Sequence, residues 1–528
     1  MRKIFTLLLL VAGYTVAAQQ YNNEWINFNQ TYYKFKIGKA GIYRINKAAL
    51  DNLGIGGTQV EFFELWHNGR RIPIYTSVPS GPLPANGYIE FWGELNDGKP
   101  DKPLYREAAF QHTDVPSLIT DTSSYFLSVN TNQAGPRYVE VVNNVAGNSL
   151  PAEPWFMYKL GNYFKSKVNM GFAAVVGEYV YSSSYDKGEF NSSGDITPAK
   201  EFTTNLANLQ ANVAGPDATI RYGAVGNALN PRSMKVRVAG VDIADHIMDY
   251  FNDVHASATV PTALLTNSTV PVDFVNTSLV SNDRMVVSYF ELTYPRNFNF
   301  NNQTNFEFTL PAKPQGHYLE ITSFNTGGVP PVLYDMANNE RYVGDISVAG
   351  RVRFALPPSA QDRKLVLAST AANNINNVTS FTTRVFIRYD QVANQGNYII
   401  VTHPLLYNGT NGNNPVLEYK NYRQSPQGGG YTVLVADVEE LIDQFGFGIK
   451  KHPIAIRNFL KYARTYFSMP PKYAFMLGKG MTYLEYKRNQ AQPDVERLNL
   501  VPTFGYPGSD NMLAADDITN PIAAIPIG

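Results

Sequence analysis

Hydrophobic and polar positions follow two different rhythms along this chain. From about residue 19 to residue 395, bulky apolar residues alternate with polar ones over short runs, the period of a strand with one buried face. The stretch "TYYKFKIGKAGIYRI" (residues 31–45) alternates on both sides of a glycine-containing turn and predicts a hairpin. A second is predicted by "VEFFELWHNGRRIPIY" (60–75), where Asn68-Gly69 suits the positive φ angles of a two-residue turn. "GYIEFWGE" continues the pattern, and further strands are predicted at 124–129, 137–142, 233–238, 284–292, 304–310, 317–322, 351–355, 364–368 and 384–389. The connectors are rich in Pro, Asn, Gly and Ser, so the region reads as antiparallel β-sandwiches. One stretch, "VDIADHIMDYF", reads instead as a helix, which would place Asp245, Asp249 and Asp253 on one face with His246 and His255 nearby.

After Gly396 the rhythm changes. "NYIIVTHP", "YTVLVAD" and "PKYAFMLGKG" are continuous apolar runs, as expected of strands covered on both faces. Between and after them, "PVLEYKNYRQS", "VEELIDQFG" and "HPIAIRNFLKYARTYF" carry helical spacing, the second with acidic residues in its first turn and the third opened by Pro453. Strand alternating with helix implies right-handed crossovers and a parallel sheet. The closing "NPIAAIPIG" reads as one more strand of it.

Composition narrows the function. With 44% apolar and 17% charged residues, the 528-residue chain can bury several cores. Lys plus Arg equals Asp plus Glu at 44 each, so no net field gathers nucleic acid. Arg2 and Lys3 precede an apolar run ending in Val16-Ala17-Ala18, the pattern of a secretory leader occupying residues 1–18. The mature chain is therefore expected across the inner membrane, in the periplasm or at the cell surface, with no later run long enough for a membrane span. Cysteine is absent, so no thiolate nucleophile or soft metal ligand is available within the chain.

Open parallel sheets present chemistry at the carboxyl ends of their strands. Here those ends hold His403 beside Thr402, Asp437, and Lys479 beside Gly478. His403 has no acidic or nucleophilic neighbour in sequence and is followed by proline, so it reads first as a rim residue. Asp510, Asp516 and Asp517 in "GSDNMLAADD" are oxygen ligands of the kind calcium takes, although their spacing is not that of the twelve-residue calcium loop; a solvated acidic turn reads equally well. "GKG" lacks the flanking residues of a phosphate loop, and no GxSxG elbow occurs.

The ordered set "YIIVTHPLL", "LEYKNYRQ", "YTVLVADVEELIDQFGFG", "HPIAIRNFLKYA", "PKYAFMLGKG" and "PTFGYPGSDNMLAADD" running into "IPIG" resembles the gingipain-type cysteine peptidases, in particular the sortase-like branch of the type IX secretion system of Bacteroidota. "YYKFKIGKAGIYRINKAAL", "FELWHNGRRIPIY" and "YIEFWGE" resemble the β domain that precedes the peptidase in that branch. The resemblance implies a leader at 1–18, an N-terminal β domain at 19–150, one or two β-sandwich domains at 151–395, and the N-terminal half of a caspase-like α/β peptidase domain at 396–528. It also implies a cysteine nucleophile and a histidine base lying beyond Gly528, with no catalytic residue inside the chain. Implied substrates are proteins bearing C-terminal sorting domains, cleaved and, in the sortase-like branch, joined to an amine; implied partners are outer-membrane components of the secretion system. No cofactor is required, and calcium is the one ion the resemblance suggests. Lys479 stands where many relatives have aspartate and Leu513 where they have tyrosine, which weakens a carried-over calcium site. The rival reading is a non-catalytic surface protein whose sandwiches bind or assemble.

Overall fold

The computed structural model describes residues 21–165, 167–171, 174–175, 179–489 and 491–528; the expected leader at 1–18 lies outside the described residues. It is mainly β, with antiparallel sheets followed by a parallel α/β unit.

The first predicted hairpin is not one. Tyr32–Ile37 pairs antiparallel with Ser123–Val129, whereas Gly41–Asn46 pairs with Tyr88–Gly93 in a separate sheet. The turn between them carries the chain across a sandwich, so that Phe35 and Ile37 from one sheet meet Tyr43 and Ile45 from the other in one core. Both faces of alternating strands find cover this way. The second prediction holds: Phe63–His67 and Arg70–Ile72 form a hairpin through Asn68 (φ 47) and Gly69 (φ 72), two positive φ angles in succession.

This sandwich is closed by distant residues. Ile375–Asn377 lies parallel to Gly41–Asn46, and Thr382–Arg384 adds to the edge of Tyr32–Ile37. Residues numbered within 151–395 thus share hydrogen bonds with 19–150. The strand expected at 384–389 stops at Arg384, because Ile387 and Tyr389 turn toward the α/β unit.

A middle sandwich packs the sheet containing Ala218–Gly226 and Met285–Arg296 against the one containing Ser233–Val238 and Thr269–Asn276, around Ile220, Tyr222, Val236, Phe274 and Phe290. Here the predicted helix is a strand. Val241–Ile247 returns antiparallel along Ser233–Val238 through Ala239 (φ 52) and Gly240 (φ 79), a turn that local residue spacing did not disclose. The three aspartates therefore separate: Asp245 lies opposite Lys235, Asp249 accepts from the Arg232 N–H at 2.9 Å, and Asp253 begins the next strand. His246 meets the Tyr222 hydroxyl at 2.6 Å and His255 meets that of Tyr289 at 2.5 Å. A further pair of sheets encloses Phe300, Phe308, Leu319, Phe354 and Leu367.

In the α/β unit Tyr398–Thr402 is the central strand, parallel to Val433–Asp437 on one side and to Tyr473–Leu477 on the other. Its continuous apolar run is explained by cover on both faces. Ile399 and Val401 meet the helices Val438–Phe445 and Ile454–Tyr466, while Tyr398 and Ile400 meet Tyr419 of the helix Pro415–Gln424. Of the closing stretch only the last residues behave as the predicted strand: the Ala474 N–H donates to the Pro526 carbonyl at 3.0 Å and the Gly528 N–H to the Ala474 carbonyl at 3.2 Å.

The α/β unit docks on the first sandwich through charge. Asp443, fully buried on the helix Val438–Phe445, accepts from Lys34 of the first strand and from Arg384 Nε at 2.7 Å. A second contact of the same unit is that of His452 Nε2 with the buried Asp101 at 3.0 Å. Removing one member of a buried ion cluster strands the others without compensation. Asp443→Ala is therefore expected to destabilise the chain by about 3–5 kcal/mol, read as a lower urea midpoint, whereas Arg464→Ala at the exposed pair with Asp516 should change it by less than about 1 kcal/mol.

Candidate functional site

The carboxyl ends of the three parallel strands form a rim, and each sequence-predicted rim residue lies on it. His403 follows the central strand directly and caps the short 3-10 turn Pro404–Tyr407: its Nδ1 accepts from the Leu405 N–H at 3.1 Å. An imidazole accepting at Nδ1 carries its proton on Nε2, which faces Glu439 Oε1 at 3.6 Å. As placed, His403 is a capping residue whose free lone pair is taken.

Asp437 ends its strand and begins the next helix, accepting from the Glu439 N–H at 2.9 Å as an N-cap. Burial pushes its carboxyl above the usual range; the Glu439 N–H and the Arg384 guanidinium oppose the rise. Lys479 is exposed after Gly478, where φ is 151 and an added Cβ would approach Val501 Cγ2 at 2.9 Å, so the strand must leave the sheet through glycine. Thr402 closes the rim from beneath, its hydroxyl donating to the Leu477 carbonyl at 2.8 Å.

Sequence reasoning missed Glu439, Lys451 and Arg384. Glu439 lies 3.7 Å from Lys451 Nζ as well as beside His403, and burial lowers the Lys451 ammonium below its ordinary range. Glu439 also lines a cleft of 480 Å³ with Lys34, Lys36, Thr382 and Arg384, between the first sandwich and the rim. The one available signal was the acidic first turn of "VEELIDQF" directly after a buried strand; the partners arrive from residues far away in sequence.

Asp510, Asp516 and Asp517 are engaged separately. Asp516 is paired with Arg464 Nη2 at 2.6 Å, which holds its carboxyl low, and its carbonyl accepts from Arg457 at 3.1 Å. Asp517 accepts from the Thr519 N–H at 2.9 Å and from its hydroxyl at 2.7 Å. Asp510 precedes the helix Asn511–Ala514 without a side-chain capping bond, and burial raises its carboxyl. Among the described residues no three His, Cys, Asp or Glu side chains converge as a metal site.

Three parallel strands with flanking helices and a rim at the carboxyl ends make an open α/β unit. Residues 391–528 match the family model Peptidase family C25. Across nearly the whole chain the fold is similar to that of dimeric latent PorU from Porphyromonas gingivalis, with 12% identity and a TM-score of 0.56 over 93% of this chain and 46% of that one. The chain therefore spans a little under half the length of that structure, and at this identity the likeness establishes the fold. A CBM36-1 domain of a xylanase from the hindgut metagenome of Trinervitermes trinervoides matches at 6% identity over 26% of this chain and 96% of its own, with a TM-score of 0.16. A family 35 carbohydrate binding module from Clostridium thermocellum matches at 12% identity over 27% and 98%, with a TM-score of 0.14. Nothing rests on likenesses so slight. No curated protein matches the chain.

The rim geometry separates capping from catalysis by mutation. Asp437→Ala should cost about 1 kcal/mol of stability and Asp437→Asn a few tenths, the order expected of an N-cap; equal losses in thermal unfolding would remove the capping role.

Proposed function

We propose that the chain is the β region and the first strands of the α/β domain of a cysteine endopeptidase, sortase-like within type IX secretion, acting at the cell surface on secreted proteins that carry C-terminal sorting domains. Transfer of the new carboxyl end to an amine is the second half of the same proposal. The carrying observation is the coincidence of the C25 match at 391–528 with a parallel unit whose central strand is covered on both faces. The resemblance of the sorted motifs to the sortase-like branch supports the substrate class. Among the described residues no helix is long and apolar enough to cross a membrane.

The chemistry divides in two. A thiolate nucleophile needs cysteine, of which the chain has none, and the one rim histidine has its lone pair engaged. The proposal therefore assigns the nucleophile and its base to residues after Gly528, and to residues 391–528 the sheet on which they stand.

The test follows the reading frame past Gly528 and assays two proteins, the chain as given and the chain with what the frame adds. A Gly-His-Gly segment followed by a cysteine after a short apolar strand is expected. So is cleavage of a cargo C-terminal domain by the longer protein, abolished in its Cys→Ala variant, with residues 1–528 alone slower by about a million-fold. Comparable hydrolysis by the chain as given, or a longer protein without that cysteine, overturns the reading.

A further inference from the structure

Two buried carboxyls tie the α/β unit to the β region, and neither has a cation in contact. Glu440, 4% exposed on the helix Val438–Phe445, accepts from the Ile387 N–H and from the Tyr389 hydroxyl, both at 3.1 Å. Both donors lie on the segment that leaves the first sandwich. Glu189, 2% exposed in the middle region, accepts from the Tyr483 hydroxyl at 2.5 Å, and Tyr483 belongs to the helix Tyr483–Asn489 of the α/β unit. The two contacts come from different parts of the β region and meet the same α/β unit.

We propose that Glu440 and Glu189 are proton-operated fastenings, neutral and hydrogen-bonded while the α/β unit is docked and loosening it when they ionise.

A carboxylate taken out of water without a partner cation is costly, and the group remains neutral instead. The neighbours confirm the balance. Around Glu440 stand Tyr389, Asp443, Asp437 and Arg384; the guanidinium is bound to Asp443 at 2.7 Å and its charge is already shared. Around Glu189 stand Tyr483, Tyr105, Tyr185, Asp186, Asp101 and Arg106; Arg106 is committed to Asp186. Burial, opposed by hydrogen bonds to the carboxylates, raises each acid to about 8.

The sign follows from proton counting. Between the ordinary glutamate range and about 8 the docked state holds protons that the undocked state has released, so docking weakens as pH rises through that window.

Hydrogen exchange on the full chain from pH 6 to pH 9, corrected for intrinsic chemistry, tests the proposal. Peptides covering 386–390 and 483–489 are expected to exchange at least tenfold faster at the upper end. Glu440→Gln should flatten the first and Glu189→Gln the second, each leaving the other pH-dependent. Should either variant fail to fold, the infrared carbonyl band of a protonated carboxylic acid in the wild-type chain, present at pH 7 and lost by pH 9, supplies the same information. PH-independent exchange in the wild type, unaltered pH dependence in the glutamine variants, or no protonated-acid band at pH 7 overturns it.

Discussion

Everything about the position of the parallel sheet depends on a charge that water cannot reach. Asp443 sits in the middle of the helix Val438–Phe445 with no exposure, and its two cationic partners come from opposite ends of the β region's sequence, Lys34 near its start and Arg384 near its finish. Those two residues are themselves neighbours, because Tyr32–Ile37 and Thr382–Arg384 are paired strands with Lys34 opposite Thr382. The carboxylate therefore reads whether the sandwich is closed. A sandwich lacking its returning strand would offer one cation instead of two, and the helix would meet an unbalanced site. Buried ion clusters add little net stability over a well-packed apolar contact, but they are intolerant of misplacement. That intolerance gives the helix one register on the sheet and fixes the rim residues that follow from it.

The same helix has partners along its whole length. Asp437 caps it, Glu439 faces His403 and Lys451, Glu440 takes the Ile387 amide and the Tyr389 hydroxyl, and Leu441, Ile442 and Phe445 enter the core. That core is not a private possession of the α/β unit, since Leu104, Tyr105, Leu118, Ile119, Tyr185 and Tyr389 from the β region are part of it. A parallel layer of three strands with few helices has too little apolar surface to stand by itself. The β region supplies the missing wall. In this sense the sandwiches are the foundation of the rim, and the cleft beside Glu439 lies where the first sandwich and the α/β unit meet.

The parallel strands were legible in the sequence because burial on both faces leaves no polar alternation to misread, and of the helices between them one carried an acidic first turn and another opened with Pro453. The antiparallel region was legible in its strands but not in their partners. Alternation reports that one face of Tyr32–Ile37 is buried; it does not say whether the next strand lies beside it or across the core from it. At Val241–Ile247 aspartates at a spacing of four imitated a helix, while the turn made by Ala239 and Gly240 in positive φ left little local trace. The rim residues were legible by position, since strand ends follow from strands. Their state was not: the lone pair of His403 is occupied by an amide two residues on, and Glu439 finds Lys451 only when the helices fold back.

A last arrangement shows why distances between reactive groups do not by themselves make a catalytic site. His112 reaches Ser288 Oγ through Nδ1 at 2.9 Å and Asp253 Oδ2 through Nε2 at 3.2 Å, the three residue types of a hydrolytic triad within hydrogen-bond reach. Ser288 has no exposure, and its hydroxyl donates to the Gly223 carbonyl at 3.0 Å, so its proton points away from the imidazole that would have to remove it. Burial pushes Asp253 up, but hydrogen bonds from His112 and Lys187 outweigh it and leave the carboxyl at about 2. Each proton in the trio is committed to holding the segment around His112 against the middle sheet. The rim at His403 presents the opposite case: it stands at the carboxyl ends of the parallel strands, beyond the close-packed sheets of the β region, and its lone pair is taken by a backbone amide. Access, and the direction in which each proton is already donated, separate a fastening from a site.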